Sequence, residues 1–289
     1  MAIVTLPNGR RLDIEVTGPV DGITLLFLHG TPSTVLQLRA MRQAAQVRGL
    51  RLVTYSRPGY ARSTRDPGRA VVSCVPDIAA VLDHVEAARC LVAGWSGGGP
   101  HALAAGAGLP DRVAGVLSVA SVGPSDAPDL EFLAGMGEGN IEEFGAAARG
   151  EAVLRAALEP MAAGLAAGDA AGLLAEIGSV MSEVDRAVMP GEFGADVAAG
   201  LADAVSSGVD GWLDDDLAFL KPWGFALSDL DVPVFLWQGD EDLMVPAAHG
   251  RWLAGELPHA VPHLITGEGH LSILRNSIGT MLDELMTAL

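Results

Sequence analysis

Gly94, Trp95, Ser96, Gly97 and Gly98 place a single hydroxyl among small residues, a pattern suited to presenting a serine as a nucleophile. With 36 glycines in the chain the pentapeptide alone is weak, and its context carries the reading. The apolar run Leu91, Val92 and Ala93 precedes it and a helix-compatible stretch from Pro100 to Gly108 follows it. Strand, sharp turn and helix are the setting such a serine requires, because it sits in a strained conformation and its neighbours must pass without side chains.

A serine hydroxyl is a poor nucleophile unless a base takes its proton and a carboxylate holds that base. The chain supplies an acid and then a histidine, in that order. After the apolar segment Val234 to Trp237 comes an acidic turn, Gly239, Asp240, Glu241 and Asp242, ending at Pro246. Asp242 is placed to face a later loop, whereas Asp240 suits ordering of the turn itself. The later loop is Gly267, Glu268, Gly269 and His270, and His270 is the expected base. His84, His101, His249, His259 and His263 fall on helices or loop surfaces in this reading. His29 belongs to a loop whose packing or hydrogen bonding it would serve.

The oxyanion formed on attack needs donors where its charge develops. The backbone N–H groups of Gly97, directly after the serine, and of Thr31, in the loop His29, Gly30, Thr31 and Pro32, are the expected pair. Trp95, Trp223 and Phe225 are candidate walls for a substrate pocket, which in such sites is mostly apolar.

Positioning these groups requires an alternation of elements. Residues 10–17 and 23–28 read as strands, followed by a helix at 36–48, a strand at 51–55, a helix at 76–87, a strand at 90–94, a helix at 99–108 and a strand at 113–120. A strand at 232–238, a helix at 246–256, a strand at 261–265 and a helix at 271–287 close the chain. The pattern implies an α/β fold with a mostly parallel, doubly wound sheet, whose reactive groups gather at one sheet edge. Residues 124–227 break it, being rich in Ala and Leu with acidic punctuation, and read as short helices. The division expected is a core of residues 1–123 and 228–289 with a helical cap, or lid, inserted at 124–227.

Charge narrows the partners. The net charge is −18, and residues 124–227 hold 19 acidic against 4 basic residues. Nucleic acid and anionic membrane surfaces are excluded as partners, since both draw on clustered Lys and Arg, and anionic substrates are disfavoured. The acidic residues of the inserted segment read as solvated outer faces of helices, with the sharper alternative that one carboxylate points into the pocket and binds an amine. No apolar run is long enough to span a bilayer and no signal peptide is visible. Cys74 and Cys90 read as buried free thiols in a reducing, cytoplasmic setting.

The His29–Pro32 loop, the Gly94–Gly98 segment, the Gly239–Pro246 turn and the Gly269, His270 pair, in that order over nearly the whole chain, resemble the capped α/β-hydrolase family. The loop Ser56 to Ser63 is similar to a further family loop, with Ser56 and Ala61 standing where Asp and Gly are usual. The resemblance implies a helical lid, a Ser-Asp-His triad of Ser96, Asp242 and His270, and no cofactor or metal. Haloalkane dehalogenases and epoxide hydrolases of the family carry Asp as nucleophile, so Ser96 points instead to ester, thioester or amide chemistry on a small-molecule substrate. Arg57, Pro58, Gly59 and Tyr60 look similar to proline iminopeptidases, but Gly30 to Ser33 and Gly97 depart from their pattern. A carboxylic ester hydrolase is therefore the leading expectation, with an aminopeptidase and a slow-turnover ligand receptor as rivals.

Overall fold

The computed structural model describes residues 1–166, 168, 173 and 177–289. Eight strands form one sheet: β1 (Ala2–Thr5), β2 (Arg11–Thr17), β3 (Thr24–Leu28), β4 (Arg51–Tyr55), β5 (Cys90–Trp95), β6 (Val113–Val119), β7 (Val234–Gly239) and β8 (Ala260–Ile265). Their order is β1-β2-β4-β3-β5-β6-β7-β8. The pairs β1/β2 and β2/β4 are antiparallel and all others are parallel.

Helices α1 (Arg39–Val47), α2 (Cys74–His84), α3 (Gly98–Gly108), α9 (Ala247–Glu256) and α10 (Ser272–Leu285) flank the sheet. The alternation of a strand between two apolar faces is plain in β3. Leu26 and Leu28 enter the cluster that contains Ile78 and Val81 of α2, Leu103 of α3 and Leu253 of α9. Leu25 and Phe27 enter the opposite one, with Met41 of α1 and Ile273 and Met281 of α10. Burial on both faces is why β3, β5 and β6 are nearly uninterrupted apolar runs. All of these elements stand where the sequence pattern places them, within a few residues at their ends. The exception is β1, a four-residue edge strand whose run Ala2 to Thr5 is too short to show a period.

Between β6 and β7 the described residues are helical or irregular: α4 (Glu138–Ala147), α5 (Glu151–Leu165), α6 (Glu183–Val188), α7 (Glu192–Val205) and α8 (Asp210–Phe219). They share a third apolar cluster built from residues such as Leu154, Leu158, Phe193, Trp212 and Leu213, which also receives Tyr60 and Leu271 from the sheet-bearing part. No described helix is long and apolar enough to cross a membrane. Cys74 and Cys90 are both buried and free, and burial raises the Cys74 thiol well above its ordinary value, outside the range in which it would ionise.

Candidate active site

Ser96 stands between β5 and α3 with φ at +56°, the left-handed region that costs a non-glycine residue of the order of 1–3 kcal/mol. The turn is held by the Ser96 N–H donating to the Val119 carbonyl at 2.9 Å and the Gly99 N–H donating to the Ser96 carbonyl at 2.9 Å. Its glycines are steric requirements. A Cβ on Gly94 would lie 2.3 Å from the Gly98 carbonyl oxygen, and one on Gly98 would lie 2.1 Å from that of Leu28.

The loop after β7 brings Asp242 against the loop before α10. His270 Nδ1 donates to Asp242 Oδ2 at 2.8 Å, with both side chains buried. Gln238 Nε2 also donates to Oδ2, at 3.1 Å, while the Met244 and Val245 amides donate to Oδ1 at 2.9 and 2.8 Å. Asp242 is thus an acceptor for four donors and has no freedom to turn. Asp240 instead accepts from the Gly267 amide at 2.8 Å, which orders the turn. Burial by itself would depress the His270 imidazole, but the adjoining Asp242 carboxylate, its hydrogen bond and the charge of Asp185 leave it above its ordinary value.

Ser96, His270, Gly97, Thr31 and Trp95 line one cleft of about 970 Å³, mouth included, whose other walls come from α4, α5, α7 and α8. Thr31 and Gly97 lie so close that a Cβ on Gly97 would be 2.3 Å from Thr31 Oγ1. Among the described residues neither backbone amide has a hydrogen-bond acceptor. Trp95 also donates from Nε1 to the His270 carbonyl at 3.2 Å. Trp223 and Phe225, expected as pocket walls, are not on this cleft. They stack on each other at 5.9 Å and pack against the sheet core, because the chain returning from α8 to β7 runs along that face.

Two further histidines, His29 and His249, serve structure. His29 Nε2 accepts from the Arg57 amide at 3.1 Å, which makes its Nδ1 the donor to the Gly30 carbonyl at 2.7 Å. Burial, with Arg57 nearby, keeps this ring well below its ordinary pKa and neutral. His249, expected at a surface, is fully buried. It accepts from the Gly123 amide at Nδ1 and donates from Nε2 to the Phe132 carbonyl, fixing the exit from β6.

Four acidic residues of the helical segment depart from the expectation of solvated outer faces, while others, such as Glu138, Glu159 and Glu192, are exposed as expected. Asp185, Asp214, Asp215 and Asp216 are buried, not solvated. Three consecutive aspartates on α8 diverge by the helical turn and meet three different partners. Asp214 takes Arg65 at 2.8 Å. Asp215 takes Arg57 and Arg69, both at 2.6 Å, together with the hydroxyls of Thr31 at 2.8 Å and Tyr60 at 2.9 Å. Asp216 faces the cleft beside Glu143 of α4. Burial and the proximity of Glu143 push the Asp216 carboxyl well above the usual range, and burial raises Glu143 despite hydrogen bonds from Asp216 and from Trp212 Nε1, the latter at 2.7 Å. A run of three aspartates inside an otherwise apolar helix, Trp212 to Phe219, was the available signal for this cluster. Among the described residues no group of His, Cys, Asp or Glu side chains is arranged to hold a metal ion.

A serine at a strand-to-helix turn, a carboxylate-held histidine and a cleft over the C-terminal edge of a mostly parallel sheet define a recognisable class of fold and site. The family model described as "alpha/beta hydrolase fold" matches residues 23–277, and the chain belongs to that family. It is 28% identical over 106 residues to an uncharacterized hydrolase, YcgS, of Bacillus subtilis, covering 37% of this chain and 36% of that one. It is 30% identical over 117 residues to epoxide hydrolase B of Mycobacterium tuberculosis, covering 39% and 33%. The chain thus spans about a third of the length of these curated relatives. Among solved structures, a thermophilic esterase from Thermogutta terrifontis superposes with a TM-score of 0.72 at 19% identity, over 99% of this chain and 98% of that one.

Proposed function

We propose that this protein is a cofactor-free serine hydrolase that cleaves a small, largely apolar carboxylic ester through an acyl-enzyme. The observation that carries this reading is the placement on one cleft of Ser96, at positive φ, and of His270, whose Nδ1 is held by Asp242 at 2.8 Å. With Nδ1–H committed to the carboxylate, Nε2 is the free base. In the first half-reaction Ser96 Oγ attacks the ester carbonyl while Nε2 takes the hydroxyl proton. The oxyanion is received by the Thr31 and Gly97 amides, and the imidazolium returns its proton to the departing alkoxide. In the second, water attacks the acyl-enzyme with His270 again as base, releasing the acid and restoring Ser96. Asp242 orients the ring and stabilises its charged form. Residues 124–227 act as a cap over the core of residues 1–123 and 228–289, and Trp95 serves as one wall.

A serine in the position where epoxide hydrolases of the family carry aspartate supports ester over epoxide chemistry. The test is turnover of a short-chain p-nitrophenyl ester by the native protein and by Ser96→Ala, with labelling of Ser96 by a fluorophosphonate. Multiple turnovers that vanish in the variant are expected. Undiminished activity in Ser96→Ala would overturn the assignment.

A second reading, for substrates bearing an amine, is favoured by Glu143 and Asp216. Both line the cleft, and among the described residues neither has an Arg, Lys or His partner. A carboxyl pair sharing a proton there would accept an ammonium group in exchange for that proton. Comparing amino-acid anilides with neutral esters separates an aminopeptidase from a simple esterase.

A further inference from the structure

We propose that Asp185, on α6 of the helical segment, is a positioning residue for His270, fixing the backbone from which the base projects while Asp242 fixes its ring. The proposal rests on His270 being the proton carrier of the reading above. Asp185 is fully buried and has no cationic partner among the described residues. Its carboxylate instead accepts three consecutive backbone amides: His270 at 2.9 Å on Oδ2, and Leu271 at 2.8 Å and Ser272 at 2.9 Å on Oδ1.

These amides open α10, where the helix leaves its donors unsatisfied and its dipole favours a negative charge. The neighbouring Gly269 amide donates to Ser272 Oγ at 2.7 Å, so four successive amides across the loop are tied down. On the carbonyl side Trp95 Nε1 holds His270 O. Gly269 is part of the same device, since a Cβ there would lie 2.5 Å from both carboxylate oxygens of Asp185. Asp185 is itself set by the start of α6, where its amide donates to the Ser182 hydroxyl. The helical segment thereby holds the base directly, and seating that segment and aligning His270 are one event.

An ordinary helix cap would add stability and nothing else. Positioning makes different demands. The charged groups that face the His270 ring are Asp242 and Asp185, so removing the Asp185 charge also lowers the imidazole pKa. For Asp185→Asn we expect kcat to fall on the order of 10- to 100-fold with KM within about twofold, and the acid limb of kcat/KM to move to lower pH. The His270 imidazole titration, followed by NMR, should move the same way without reference to any substrate. Gly269→Ala keeps the charge but displaces it, and should lower kcat with a smaller change in the titration. It also serves as the second variant should Asp185→Asn fail to fold.

A folded Asp185→Asn protein with native kcat, native pH profile and an unshifted His270 titration would overturn the proposal, as would a Gly269→Ala protein with native kcat. A native protein that neither turns over esters nor reacts at Ser96 would instead overturn the hydrolase reading on which it rests.

Discussion

Arg57 and Asp215 meet at 2.6 Å beneath the Thr31 loop, with both side chains closed off from solvent. One lies just after β4 and the other on α8, so the pair joins the sheet to the helical segment. Arg57 also donates to the carbonyls of His29 and Gly30 and to Thr31 Oγ1. The loop that carries a proposed oxyanion donor is therefore moulded around a buried guanidinium. Burial would raise the Asp215 carboxyl, but Arg57 and Arg69 hold it well below the usual carboxylate range.

Asp215→Asn should destabilise the protein by about 3–5 kcal/mol, since two buried guanidinium groups lose the carboxylate they share. Urea unfolding measures the loss. The folded fraction should also turn over esters more slowly, because Thr31 loses an acceptor for its hydroxyl. A loss under about 1 kcal/mol would show that the network is solvated in solution.

Asp242→Asn should cut kcat by roughly 10⁴-fold, because an amide can present N–H to Nδ1 and favour the wrong tautomer. Asp240→Asn should leave kcat nearly unchanged, since the Asp240 carboxylate accepts from the Gly267 amide and, among the described residues, bonds to neither Ser96 nor His270. Steady-state kinetics on one ester compares the two. The reverse order of severity would reassign the acid.

The base must be neutral to take the serine proton, and His270 is held above its ordinary value of about 6.5. The kcat/KM profile should therefore rise with pH through a midpoint above 6.5. In stability the sign runs the other way. The folded state binds this proton more tightly than the unfolded chain, so its contribution is full below about 6.5 and is lost as pH rises through the folded-state value. Rate profiles and denaturation midpoints between pH 5 and 9 test both directions.

Glu143→Gln should leave hydrolysis of neutral esters within a few-fold of native, since Glu143 reaches the cleft from α4 and bonds with Trp212 and Asp216 of α8. If the second substrate reading holds, the same change should reduce kcat/KM for amine-bearing esters on the order of tenfold or more. Equal effects on both substrates would exclude a charge-recognition role for the pair.

Much of this molecule was legible in one dimension. Alternating buried strands and helices announce themselves through apolar runs and glycine punctuation. The order Ser96, Asp242, His270 emerges because each sits where a sheet strand ends, a position that the local pattern reveals. The element missed, β1, is short and lies at the sheet edge, where hydrophobic pattern is weakest. Trp223 and Phe225 pack on the sheet core and not on the cleft; aromatic composition marks burial without stating which surface is buried.

The amino-acid sequence thus determined the sheet, the turn that carries Ser96 and the chain order of the proposed reacting groups, since all three depend on local spacing. Only the tertiary structure decided which acidic residues are buried and what they meet. In sequence they are a solvated-looking excess of charge, and nothing local tells Asp214, Asp215 and Asp216 apart. Folding sends the first to Arg65, the second to Arg57 and Arg69 and the third to the cleft beside Glu143, while Asp185 crosses 85 positions of chain to reach the His270 amide. Successive helical residues point about 100° apart, so the partner of each is set by what packs against that side of the helix, information held by the fold as a whole.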